Sequence, residues 1–155
     1  RSNQLLLNTL GAEVHFVAPP TLLPQNASGF KAALHYNLDE MLATEKPDVV
    51  MMLRLQAERM NASYFPTERE YARIWGFNAG RLGALKDSAI VMHPGPMNRG
   101  VEIDSNVADG KQSVILPQVT YGIAIRMAVM ALLAGGLPGQ QQSAGGSPTD
   151  PAGDA

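Results

Sequence analysis

Asp48-Val49-Val50-Met51-Met52-Leu53-Arg54-Leu55-Gln56-Ala57-Glu58-Arg59 is the stretch that decides the fold. Val49 to Leu53 is a continuous apolar run without Gly or Pro, which is how a strand buried on both faces reads. It ends abruptly at Arg54. In open α/β sheets ligands bind just beyond the carboxyl ends of the strands. Two readings of Arg54, Gln56, Glu58 and Arg59 follow. They form a polar head for a small anion, the guanidinium fork matching a carboxylate or phosphate two bonds at a time, or they are salt-bridged surface charges where a strand meets water.

Outward from this strand, helices and strands alternate. Leu5, Leu6, Leu7 and Leu10 suggest an apolar helical stripe, with Gly11 where a C-terminal cap belongs. Val14–Ala18 reads as a strand closed by Pro19-Pro20, and Ala32–Tyr36 as a weaker one. Asn37 can cap a helix through Glu45, with Leu38, Met41 and Leu42 on one face, ended by Pro47. Thr67 with Glu70 is a capping-box pattern for a helix to Trp75, ended by Gly76. Asn78 can cap a short helix to Leu85, Ser88–Met92 is a fourth strand, and a last helix runs from about Pro117 to Ala134. Such alternation implies parallel pairing through right-handed crossovers. The expected architecture is a three-layer α/β domain, an open and mostly parallel sheet with helices on both faces and polar loops at one sheet edge. From Gly135 to Ala155 the chain is mainly Gly, Pro, Gln, Ser and Asp, and is expected to be a disordered tail.

Composition excludes several functions. The chain has 155 residues, 45% of them apolar and 17% charged, with net charge −2, so the basic footprint of a nucleic-acid binder is missing. There is no cysteine, which removes disulfides, thiolate zinc sites and thiol nucleophiles together, and is compatible with a reducing cytoplasm. The longest apolar stretch, around Ile123–Ala134, contains Arg126 and reads as too short to span a bilayer. No signal peptide is apparent, and the chain opens at Arg1-Ser2-Asn3 inside a helical pattern, as a piece of a longer polypeptide would.

A second strand end is chemically loaded: His93-Pro94-Gly95-Pro96-Met97-Asn98-Arg99-Gly100. Its prolines fix φ and lack N–H groups, leaving carbonyl oxygens to accept from a ligand, and Gly95 permits close approach. A simple proline-rich turn is the other reading. His93 is a candidate base, but a histidine beside proline at a strand end is more often structural. His15 and His35 lie in strands and read as packing residues. No histidines and carboxylates sit at metal-ligand spacing, so no metal site is expected. Neither a dinucleotide fingerprint nor a P-loop is present. The acids of Gly100-Val101-Glu102-Ile103-Asp104 alternate with Val and Ile, which suggests solvated or hydrogen-bonded positions, and Arg126 reads as a buried ion-pair partner.

Leu53–Arg59, His93–Ile103 and Tyr121-Gly122-Ile123-Ala124-Ile125-Arg126-Met127-Ala128 together resemble aspartate carbamoyltransferase, in order and at suitable distances, over essentially the whole chain to Ala134. The resemblance is to the C-terminal, aspartate-binding domain of that family, with a Rossmann-like fold, and sets residues 1–134 as that domain. Arg1-Ser2-Asn3 resembles the end of a His-Ser-Arg-Val-Ala-Arg-Ser-Asn motif, so the family's other aspartate-binding arginine would fall just before Arg1. The sister ornithine family carries a His-Cys-Leu-Pro motif, whereas this chain has Pro94 in the cysteine position. Ornithine's cationic side chain would be repelled by an arginine clamp; a dicarboxylate needs one.

The resemblance implies specific roles. Arg54 would clamp an aspartate carboxylate and Gln56 would hold its position. Gly95 and Pro96 would present backbone carbonyls to the attacking amine and the carbamoyl group; some members have leucine at the Gly95 position. Glu58 would orient Arg54, Arg59 would bridge to the other domain on closure, and Arg59–Trp75 would be a loop that swings in with aspartate. The implied reaction transfers the carbamoyl group of carbamoyl phosphate to L-aspartate, giving N-carbamoyl-L-aspartate and phosphate in pyrimidine biosynthesis, without cofactor or metal. The enzyme would be a cytoplasmic homotrimer with no nucleic-acid or membrane partner. The family's Ser-Thr-Arg-Thr-Arg phosphate loop is absent from these 155 residues, so the chain alone is expected to be inactive. The alternative is a catalytically silent relative serving as a binding or assembly subunit.

Overall fold

The strand at Val49 forms because its apolar run finds a parallel partner. A computed structural model describes residues 2–23, 29, 31–56 and 67–135. In it β3 (Val49–Met51) pairs in parallel with β4 (Ile90–Met92), placing Val49, Val50 and Met51 opposite Ile90, Val91 and Met92. The earlier strands β1 (His15–Val17) and β2 (Ala33–His35) pair in parallel too, with His15 opposite Ala33 and Val17 opposite His35. Strands and helices thus alternate with parallel pairing, as expected. The expected single sheet is divided, among the described residues, into two two-stranded sheets. On its other edge β4 is extended by residues 112–114: Val91 N–H donates to Gln112 O and Val114 N–H to Val91 O.

The helices are α1 (Ser2–Thr9), α2 (Leu38–Glu45), α3 (Glu68–Trp75), α4 (Ala79–Leu82), α5 (Ser105–Ala108) and α6 (Ile115–Leu133). Their ends follow side-chain chemistry. Asn37 Oδ1 accepts from the N–H groups of Asp39 and Glu40 to start α2, and Thr67 Oγ1 accepts from Glu70 N–H to start α3. Asn78 Oδ1 caps α4 through Arg81 N–H. Gly76 ends α3 for lack of room: a Cβ there would lie 2.4 Å from Ala72 O and 2.6 Å from Val101 O.

The chain divides into two compact units, Arg1–Thr120 and Tyr121–Ala155. In the first, Leu42, Phe77, Val91, Ile103 and Val107 form the centre of the core, each no more than 1% exposed. At about 25 cal/mol per Å² of apolar surface, such side chains each contribute roughly 1.5–3 kcal/mol on burial. Polar tethers complete it. Arg81, 8% exposed, pairs with Asp39 (Nε–Oδ1 2.6 Å, Nη2–Oδ2 2.9 Å) and donates to the carbonyls of Gly76, Arg73 and Ile74 at the end of α3. That guanidinium, through its hydrogen bond first, holds the Asp39 carboxyl below the usual carboxylate range.

Several sequence expectations are corrected. In α1 the leucines are not a core stripe: Leu5, Leu6, Leu7 and Leu10 are exposed and Gln4 is the buried residue. Three consecutive residues spread over about 200° of a helical turn at 3.6 residues per turn, so they cannot share one face. Arg126 is exposed rather than a buried ion-pair partner. The last helix begins at Ile115, two residues before Pro117, and its 19 residues with mean hydropathy 1.5 are long and apolar enough by length and composition to cross a membrane. The stretch counted from Ile123 misses the two preceding turns. Arg126 would cost about 2.5–3.5 kcal/mol at the centre of an inserted helix. The proposed tail lies, beyond Gly135, outside the described residues.

Candidate functional site

Each of the two loaded strand ends leaves one strand of the same parallel pair, so β3 and β4 deliver both loops to one edge. Met52 N–H donates to Met92 O at 2.9 Å, carrying the pairing one step past β3. Arg54 and Gln56 are half-buried and Leu55 between them is buried at 4% exposure. The side chain of Asn98 joins this loop to the one after β4. Its Nδ2 donates to Leu55 O at 2.9 Å, and its Oδ1 stands 3.5 Å from Arg54 Nε. The amide thus ties down the backbone carrying Arg54 and faces its guanidinium. Gly95 and Pro96 sit three and two residues before Asn98, which pins their loop, and Pro96 is exposed. The fold therefore brings Arg54, Gln56, Gly95 and Pro96 to one sheet edge. Glu58 and Arg59 lie outside the described residues; of the segment from Arg59 to Trp75, the described part is the capped helix α3.

The loop after β4 is built around two buried polar side chains. His93 and Glu102 are both 0% exposed. Gly95 N–H donates to His93 Nδ1 at 2.9 Å, which makes Nδ1 an acceptor and leaves the proton of a neutral ring on Nε2. That N–H points at Glu102 Oε1, 3.3 Å away. The same carboxylate oxygen accepts from Asn98 N–H at 2.5 Å, and His93 N–H donates to Gln118 Oε1 at 2.9 Å. With both ring nitrogens engaged by the protein, His93 is a scaffold for the loop and not a base. Burial first, and the negative charge of Glu102 second, push the Tyr71 hydroxyl above its ordinary pKa. Gly95 adopts φ +65°, in the left-handed region. A Cβ there would meet only Val119 Cγ2 at an ordinary 3.7 Å, so it is the backbone angle, rather than crowding, that favours glycine.

Three residues that hold this site were not legible as such: Asn98, Glu102 and Gln118. The alternation of Glu102 with Val101 and Ile103 left a solvated and a hydrogen-bonded position open; Glu102 takes the second, hydrogen-bonded through Oε1 and buried together with Ile103. Sequence spacing also conceals a neighbourhood: β1–β2 pairing brings His15 and His35 together beside Glu45. A shallow open cleft lined by Asp39, Asn78 and Arg81 contains none of the strand-end residues and is occupied by the Asp39–Arg81 ion pair.

Residues 1–133 match the family model described as aspartate/ornithine carbamoyltransferase, Asp/Orn binding domain. The chain belongs to this family. It is 58% identical over 144 residues to the aspartate carbamoyltransferase catalytic subunit of Thermobifida fusca, an alignment covering 91% of this chain and 45% of the relative. It spans about half the length of the curated relatives it matches. Among solved structures, ornithine carbamoyltransferase from Pyrococcus furiosus superposes with TM-score 0.69 at 23% identity, over 88% of this chain and 46% of that one, a likeness of fold. Aspartate transcarbamoylase from Trypanosoma cruzi, in complex with carbamoyl phosphate, superposes with TM-score 0.61 at 29% identity, over 76% and 39% respectively. These neighbours are consistent with the Rossmann-like α/β fold.

Proposed function

We propose that this chain is the aspartate-binding half of an aspartate carbamoyltransferase, with Arg54 as a clamp for a substrate carboxylate. The observation that carries this is Asn98: one side chain fixes the backbone at Leu55 and faces Arg54, while its own N–H is anchored to the buried Glu102. A surface arginine has no need of such a support. The 58% identity to a protein named as an aspartate carbamoyltransferase catalytic subunit favours aspartate over ornithine.

In the proposed reaction the α-amino nitrogen of L-aspartate attacks the carbonyl carbon of carbamoyl phosphate. The new N–C bond forms, the C–O bond to phosphate breaks, phosphate departs with that electron pair, and the proton lost by the amine goes to the departing phosphate. The carbonyl oxygens of Gly95 and Pro96 accept from amine and carbamoyl N–H groups, and Gln56 steadies the aspartate. The domain contributes orientation and charge neutralisation, with no covalent step of its own. A charged hydrogen bond from Arg54 contributes on the order of 1.5–3 kcal/mol. Glu58 and Arg59 orient the clamp and bridge to the carbamoyl-phosphate domain. That domain supplies the phosphate site, so the isolated 155-residue chain does not turn over; the whole enzyme is a cytoplasmic homotrimer supplying pyrimidine synthesis.

Steady-state kinetics of Arg54→Ala in the whole enzyme tests this. The aspartate KM rises and kcat falls together, because lost clamping also loses orientation. Wild-type kinetics in both constants would refute the role.

A further inference from the structure

The fold assembles a second group of ligating side chains on the other strand pair. The register sets His15 opposite Ala33 and Val17 opposite His35, and alternation along a strand puts positions 15 and 17, and 33 and 35, on a common face. His15 and His35 are therefore diagonal neighbours. Their rings lie 5.1 Å apart at 30°, with His15 Nδ1 and His35 Nε2 separated by 2.9 Å. The last residue of α2, Glu45, brings its exposed carboxylate to the same point, and the three ligand atoms lie within 4.8 Å of one another.

We propose that His15, His35 and Glu45 form a binding site for a divalent transition metal, zinc foremost. Two imidazoles with one carboxylate are a donor set for borderline metals, and leave a fourth position open to water. Magnesium and calcium prefer all-oxygen shells. At Zn–N distances of about 2.05 Å, two nitrogens lie roughly 2.9 Å apart at a right angle and about 3.35 Å apart at the tetrahedral angle. The nitrogens need to separate by only a few tenths of an ångström, and the rings to tilt as well. Nitrogens 2.9 Å apart with centroids 5.1 Å apart are aimed at each other, and a metal needs both lone pairs aimed at one point. Glu45, at an exposed helix end, has the freedom to close the remaining gap.

A further carboxylate stands where a supporting one belongs. Glu13 Oε1 is 3.5 Å from His15 Nε2, on the far side of the ring from His35. Ligating histidines characteristically give their other N–H to a carboxylate, which fixes the tautomer and raises ligand basicity. Metal binding needs the lone pairs of both His15 Nδ1 and His35 Nε2, so each ring then carries its N–H on its other nitrogen; for His15 that is Nε2, whose N–H faces Glu13 Oε1. The site ties β1, β2 and the end of α2 together, and is separate from the Arg54 loop, on whose function it does not depend.

The chain has no cysteine and only three histidines, and His93 is fully buried, so metal bound through histidine in this chain reports on His15 and His35. Equilibrium dialysis of the tag-free whole protein against zinc, with metal quantified by mass spectrometry, is compared with His35→Gln, Glu45→Gln and Glu13→Gln. Wild type binds one zinc per chain beyond the His35→Gln variant, Glu45→Gln binds at least tenfold more weakly, and Glu13→Gln loses about tenfold through the supporting contact. Cobalt(II) substitution gives a visible absorption band in wild type that Glu45→Gln alters, a signature that a purely structural contact would not produce. Glu45→Gln lies at an exposed helix end and keeps the test sound if His35→Gln fails to fold. Equal zinc binding by wild type and Glu45→Gln would remove Glu45 from the site, and equal binding by wild type and His35→Gln, or none by wild type, would show the histidines to be a hydrogen-bonded pair only; either result overturns the proposal.

Discussion

Replacing His93 by asparagine and by glutamine separates the two bonds through which this ring builds its loop. Glutamine can place an amide N–H near the Nε2 position and keep the donor to Glu102. Asparagine can place an oxygen near Nδ1 and keep the acceptor for Gly95 N–H. The two bonds are unequal. A neutral hydrogen bond such as Gly95 N–H to the ring contributes about 0.5–1.5 kcal/mol, and one to a charged group about 1.5–3 kcal/mol. The 3.3 Å separation of His93 Nε2 from Glu102 Oε1 places that bond at the lower end of its range. Glu102 also has one buried carboxylate oxygen, Oε2, with no hydrogen-bond partner among the described residues, so losing a donor on Oε1 leaves it poorly compensated. His93→Asn should therefore be less stable than His93→Gln by up to about 1 kcal/mol. Asparagine is also smaller, and a cavity would give the same sign, so the order alone does not decide. A double-mutant cycle with Glu102→Gln does, because neutralising the carboxylate removes the charge-assisted part and leaves the cavity unchanged. Urea denaturation should give a coupling energy of about 1 kcal/mol or more, against the 0.3–0.5 kcal/mol within which independent sites add. An additive cycle would refute the assignment of His93 as the donor to Glu102.

Two other perturbations follow from the same network and from the core. Asn98→Ala removes the bond to Leu55 O, costing about 1 kcal/mol, and in the whole enzyme should raise the aspartate KM; thermal denaturation beside kinetics checks both, and a stability loss with an unchanged KM would detach Asn98 from the positioning of Arg54. Asp39→Asn removes the anionic partner of Arg81, yet Arg81 keeps its three carbonyl acceptors and Asp39 is 65% exposed, so solvent screening limits the cost to about 1 kcal/mol by equilibrium unfolding. Because the Asp39 pKa is depressed in the folded state, the wild-type advantage over Asp39→Asn is complete above the ordinary value of 3.8 and disappears as pH falls below it through the folded pKa; an advantage that grew on acidification would contradict this.

Local chemistry was legible wherever a side chain acts on its own backbone. Asn37 and Thr67 cap the helices they should, and Gly11, at φ +82°, stands past α1 in the conformation that favours glycine there. Arg54 and the Gly95-Pro96 carbonyls were readable as strand-end groups because β3 and β4 are the most apolar short runs in the chain. What stayed hidden depends on which faces are covered, and periodicity reports one face at a time. Glu102 is fully buried, and an alternating pattern cannot tell a solvated acid from one that is buried and hydrogen-bonded. His15 and His35, twenty residues apart, meet only because β1 pairs with β2 in parallel and at that register. The three leucines of α1 fail for the opposite reason, as an apolar run without the 3.6-residue period that would give it one side.

Substrate preference turns on fewer residues than the fold does. The chain superposes on a structure of an ornithine carbamoyltransferase as readily as on those of an aspartate transcarbamoylase, so the fold alone does not choose the amino acid. A single charge at the strand end can. About 4 Å from a guanidinium, at the effective dielectric of a protein surface, a carboxylate gains and an ammonium loses on the order of 4 kcal/mol before desolvation. The difference between the two is large even after desolvation removes much of it, and at 1.4 kcal/mol per tenfold it amounts to orders of magnitude in affinity. That discrimination requires the charge to stay where the second carboxylate arrives. A long, flexible arginine does so only if something holds its root and faces its head, and Asn98 does both. If Arg54 is the clamp proposed above, the buried His93–Glu102 pair bears on specificity through that one amide, because Glu102 fixes Asn98 N–H and Asn98 faces Arg54.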